Sequence, residues 1–107
     1  MRKEMSVKWY SDAGHEWLGV HGNALAFVGL REKDLSPYSY RFGAESIPDL
    51  YFLEGDCDAA FFIEFAEKAG WVLKYEAEKN YEGDAPIRKL PRVRGESLIF
   101  NARFNRQ

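Results

Sequence analysis

The chain reads as an α+β domain: a mostly antiparallel sheet with two helices packed on one face, a two-layer sandwich in the order β-β-α-β-β-α-β. Three observations carry that expectation. Residues 54–75 join a helical period directly to a strand period across Gly70. Short stretches at residues 6–10, 16–20 and 37–42 alternate apolar and polar side chains, as half-buried strands do. The 107 residues are 46% apolar and 16% aromatic, enough for one core without covalent staples. From the second strand onward the order is also that of a split β-α-β, ferredoxin-like unit.

The first strand places Val7 and Trp9 on one face, and the second points Leu18 and Val20 inward. Between them SDAGH turns the chain, because Asp12 can bond its own backbone two residues on and Gly14 accepts positive φ. A hairpin follows. Gly22 or Asn23 caps a short helix through Ala24, Leu25, Phe27 and Val28, closed by Gly29, and at barely two turns it must be held by packing. After the polar segment REKDLSP, Tyr38, Tyr40 and Phe42 alternate with Ser39 and Arg41 in a third strand. Residues 50–53 are apolar on both faces, as in a central strand covered twice.

The main helix comes next. Asp56 and Asp58 can accept the free N–H groups of its first turn and suit the positive end of its dipole. At 100° per residue Phe61, Phe62, Phe65, Ala66 and Ala69 share one face, with Glu64 and Lys68 opposite and four apart in the favourable order. Gly70 ends the helix, and Trp71, Leu73 and Tyr75 alternate in a strand. Residues 78–96, with two prolines, two glycines and many charges, read as an irregular connection. Leu98, Phe100, Ala102 and Phe104 alternate as a last strand would. The expectation is one domain, with a compact core over residues 1–83 and a basic connection and last strand over residues 84–107.

The net charge of −2 hides a division. Residues 1–83 carry nine basic against fifteen acidic residues, whereas residues 84–107 carry Arg88, Lys89, Arg92, Arg94, Arg103 and Arg106 against Asp84 and Glu96. Such an arm either reaches for nucleic acid or an acidic partner, or lies against the acidic body of its own chain. A single cysteine, Cys57, excludes an internal disulfide and any two-cysteine zinc knuckle. No apolar run approaches the ~20 residues that cross a bilayer, and no signal-peptide core stands at the N-terminus, so a cytoplasmic protein without a membrane role is expected. Glycine-rich phosphate loops, HExxH, Gly-x-Ser-x-Gly and CxxC are absent, and no cofactor is predicted.

SDAGHEWLGV, SPYSYRFG and LYFLEGDCDAAFFI, with APIRKL further on, resemble the SDxGHxWL, SxYSY and EDCDA segments of a family of small uncharacterised proteins encoded by bacteriophages, plasmids and bacterial genomes. The blocks keep the same order over residues 9–90, about three-quarters of the chain. This chain departs from the pattern at Glu16, where a small residue is expected, at Gly55 within the acidic block, and in the tail after Leu90. The resemblance implies a setting, an accessory factor working in a host cytoplasm, and no reaction.

His15, with Asp12 three residues before it, is a candidate carboxylate-oriented imidazole, and Cys57 at a helix N-terminus is then a candidate nucleophile. Asp56 and Asp58 disfavour that thiolate, and the plainer reading is a small half-buried cysteine beside a capped helix end. Glu54, Asp56 and Asp58, joined by Asp12 or His15, offer hard ligands for magnesium or manganese, although an Asp before a helix is above all a cap. Tyr38, Tyr40 and Arg41, with Trp9, Trp17 and Tyr10, offer an aromatic and cationic face on which bases stack, and Arg88, Arg92 and Arg94 add charge. Alternating aromatics equally line the inside of a sheet. Two function classes follow. The first is a binding protein, monomer or homodimer, that docks a host or phage macromolecule, protein ahead of nucleic acid, for counter-defence or regulation. The second is a small enzyme using His15 with Cys57 or with a metal on Asp56 and Asp58.

Overall fold

The computed structural model describes residues 3–104, so Arg106 of the basic tail lies outside the described residues. The opening hairpin consists of β1 (Lys3–Ser11) and β2 (Glu16–His21). Asp12 closes its turn: its N–H donates to the His15 carbonyl, and its Oδ1 accepts the N–H groups of Gly14 and His15, each at 3.0 Å. A single-turn helix α1 (Ala24–Phe27) ends at Gly29, whose φ of 85° a side chain would resist. The remaining strands are β3 (Tyr40–Phe42), β4 (Leu50–Glu54), β5 (Trp71–Tyr75) and the two-residue β6 (Lys79–Asn80). The main helix is α2 (Asp58–Lys68), and α3 (Leu98–Phe104) follows the irregular segment. Among the described residues no helix is long and apolar enough to cross a membrane.

The sheet runs β3-β4-β2-β1-β5, with β6 also on β1. The pairs β1/β2, β2/β4 and β3/β4 are antiparallel, whereas β5 and β6 lie parallel to β1, so the sheet is mixed. Helix α2 connects β4 to β5, which run the same way with β2 and β1 between them. In a ferredoxin-like unit β2 and β5 would be neighbours; here the long β1 offers β5 its free edge and separates them.

The two-residue side-chain period sorts the sheet into two faces. Met5 and Val7 of β1, Leu18 and Val20 of β2, and Tyr51 and Leu53 of β4 are buried in one cluster with Ala59, Phe62 and Ala66 of α2 and with Ala24 and Leu25 of α1. The opposite face carries Trp17, Tyr40 and Phe52, covered by Ala85 and Ile87 of the irregular segment. Strand β4 is therefore buried on both sides, as its unbroken apolar run requires.

Three expectations need correction. The alternating residues 98–104 form a helix, because residues 91–93 already occupy the edge of β3: the Arg41 N–H donates to the Pro91 carbonyl and the Val93 N–H to the Ser39 carbonyl, each at 2.9 Å. The third strand begins at Tyr40, since Ser36 and Ser39 turn their side chains into the Asp58 carboxylate. Neither Asp56 nor Asp58 caps α2. Cys57 stands at the cap position without a side-chain bond, and Glu54 accepts the N–H groups of Asp56 and Cys57 instead, each at 2.9 Å.

Candidate functional site

The second face of the sheet opens into a cleft where it is not roofed by residues 85–90. Its walls come from three places: His15 and Trp17 at the start of β2, Tyr38 and Tyr40 at the start of β3, and Arg88 and Arg92 from the irregular segment. The space is about 160 Å³, and Glu54 at the end of β4 also lines it.

Asp12 organises one wall. Its carboxylate accepts Arg88 Nε at 2.7 Å and Arg88 Nη2 at 2.8 Å, and takes the Ala85 N–H at 2.9 Å. Those donors leave its side chain 1% exposed, and the Arg88 guanidinium, ahead of the Ala85 N–H, holds its carboxyl well below the usual carboxylate range. Arg88 is thereby fixed with its guanidinium 5.6 Å from the centre of the Trp17 ring. Its Nη2 also lies 3.2 Å from His15 Nδ1, which as the acceptor leaves the proton of a neutral imidazole on Nε2. The imidazole stacks on Trp17 with ring centres 6.0 Å apart.

Arg92 organises the other wall. The strand bridge between Tyr40 and Arg92 sets its guanidinium over two rings, 5.6 Å from Tyr38 and 5.7 Å from Tyr40. Among the described residues it makes no ion pair, and Tyr38 beside it is 61% exposed. The result is a flat, one-sided cation with its N–H donors unspent, next to a second cation already neutralised by Asp12.

Two further clefts adjoin, and Glu54 lines all three. One of about 360 Å³ is bounded by Asp12, His15, Glu16, Gly55 and Asp56. The other, of about 280 Å³, lies between Tyr38, Cys57, Ser97 and Phe100.

The residues singled out in the sequence are thus divided. His15, Tyr38, Tyr40, Arg88 and Arg92 come together. Asp12 joins them as the holder of Arg88, not as the orienter of an imidazole. Arg41 does not join: alternation along β3 puts it on the face away from Tyr40, where Nη1 pairs with Glu32 at 3.2 Å and where the Tyr51 hydroxyl also donates to Glu32 at 2.8 Å. Burial and that carboxylate push the Tyr51 phenol up to about 12. Arg94 points to Glu45 on the exterior. Trp9 packs against the main core, and Tyr10 stands edge-on to Phe52.

Cys57 lines the third cleft, whereas His15 lines the other two. Burial, then the charges of Glu54, Asp58 and Asp56, push its thiol up, away from a nucleophilic thiolate. Asp58 is buried and committed to Ser36 and Ser39, and burial raises its carboxyl against the hydrogen bonds that lower it. Among the described residues no group of three His, Cys, Asp or Glu side chains is placed to hold a metal ion. Sequence reasoning missed the pairing of Asp12 with Arg88 and the place of Glu54 where the clefts meet. The chain offered no signal for the first, which joins residues 76 apart. No family model, no curated protein and no solved structure matches this chain.

Proposed function

We propose that this protein works by binding a macromolecule in the cleft of His15, Tyr38, Tyr40, Arg88 and Arg92, and that its chemistry is recognition and not catalysis. The observation that carries this reading is Arg92: a guanidinium spread over Tyr38 and Tyr40, with no counter-ion among the described residues, lining a concave site. Arg and Tyr at the centre of a contact are the residue types that hold most of an interface's energy. The groups a reaction would need are otherwise engaged, Asp12 with Arg88, Asp58 with two serines, and Cys57 as a thiol. The resemblance to proteins of phages and plasmids adds a setting, an accessory factor in a host cytoplasm that blocks a defence or alters expression.

The test is retention of a partner from host-cell extract on the immobilised protein. Arg92 and Tyr38 are both exposed, so Arg92→Ala and Tyr38→Ala leave the melting temperature unchanged. Each is expected to weaken retention at least about tenfold, the effect of losing one well-placed charged or aromatic anchor. Undiminished retention in both variants would overturn the reading.

A further inference from the structure

Three clefts of different character meet around Glu54, and their unpaired charges say what kind of chain fits them. We propose that the occupant is a protein that presents a short segment carrying one acidic, one basic and one apolar side chain; this rests on the cleft being a docking site. The cleft between His15 and Tyr40 offers the guanidinium of Arg92, which makes no ion pair among the described residues, whereas Asp12 neutralises Arg88. The acidic cleft offers Glu16 and Asp56, both exposed and neither in an ion pair among the described residues. Glu54 adds a third carboxylate, held in place by two backbone N–H groups. Phe100, Cys57 and the ring of Tyr38 make the third cleft apolar.

A nucleic acid carries a phosphate at every step of its backbone. A strand seated on Arg92 would bring its next phosphates against Glu16, Glu54 and Asp56. A polypeptide has no such constraint, because its side chains change sign from one residue to the next and its backbone is neutral. An acidic side chain on Arg92 and the Tyr38 ring, a lysine or arginine toward Glu16 and Asp56, and an apolar side chain beside Phe100 satisfy all three clefts.

A yeast-displayed library of random heptapeptides, selected on the intact protein, tests this. The selected peptides are expected to share an acidic, a basic and an apolar residue. Titrated by fluorescence anisotropy, such a peptide should bind Arg92→Ala about tenfold more weakly and Asp56→Asn about threefold more weakly. Oligothymidylate, titrated in parallel, should not compete. Selection of no peptide, peptides without the acidic residue, affinity indifferent to Arg92→Ala, or displacement by oligothymidylate each overturns the inference. If partner retention from extract still depends on Arg92 and Tyr38 under any of these outcomes, the docking reading stands and only the peptide assignment falls.

Discussion

At Asp58 a buried carboxylate accepts the N–H of Ser36 at 2.9 Å, its hydroxyl at 2.8 Å, and the hydroxyl of Ser39. Ser39 in turn accepts the Glu54 N–H at 2.8 Å, so one side chain ties the start of α2 to the loop before β3 and to the end of β4. Removing that acceptor strands the buried Ser39 hydroxyl and the half-buried Ser36 donors, and each buried orphan costs about 1–3 kcal/mol. Asp58→Ala is therefore expected to lower unfolding stability by about 3 kcal/mol, read as a shift of the denaturant midpoint at constant slope. A loss below about 1 kcal/mol would mean that the loop finds other acceptors. The loop carries Tyr38 and leads into Tyr40, so the variant should also lose the cleft.

At the scale of the element, α3 is anchored by Ile99, which packs against the main core, and by Arg103. Arg103 donates to both oxygens of Glu64 on α2, at 2.8 and 2.6 Å, and packs over the Phe61 ring. Arg103, ahead of Lys68, holds the Glu64 carboxyl at about 2. In Arg103→Ala only Lys68 remains, so the Glu64 titration midpoint, followed by the NMR shift of its side-chain carboxyl carbon, should climb toward the ordinary carboxylate value. A midpoint that stays near 2 would show that α3 does not dock there. The same element marks where reading a sequence stops. Residues 98–104 satisfy a two-residue period, but Phe100 and Phe104 also stand one helical turn apart, with rings 4.8 Å apart, and seven residues do not separate the two periods. What decides is the edge of β3, taken by residues 91–93. By contrast α2 was legible, since eleven residues keep one period and Gly70 at φ 86° ends it. Its cap was not, because Asp58 answers to Ser36, 22 residues away. Part of the site was legible as well: Tyr40 follows from strand alternation, and that alternation already set Arg41 on the other face. The cations that complete the cleft arrive from a segment without a period, and nothing local announces where it lies.

For the whole molecule, the division into an acidic body and a basic tail becomes an internal contact. Arg88, Arg94 and Arg103 pair with Asp12, Glu45 and Glu64. The outermost pair, Arg94 with Glu45, has side chains 81% and 86% exposed and is screened by salt, whereas Asp12 is enclosed. Asp12 and Glu64 are both held below their ordinary values by these arginines. A carboxyl depressed in the folded state stabilises the fold fully above its unfolded value and loses that contribution as pH falls through its folded one. For Glu64 this window runs from about 4.5 down to about 2. Asp58 has the opposite sign: raised by burial, its contribution is complete below its unfolded value and fades as pH rises through the folded one, so acid does not loosen the joint it makes. Acid should thus loosen α3, which Arg103 ties to Glu64, before the sheet opens. Hydrogen exchange read by mass spectrometry should show that segment losing protection at a higher pH than β1, β2 and β4. Simultaneous loss of protection in α3 and sheet would mean that the two are one cooperative unit and that the arginine ties do not set the order of opening.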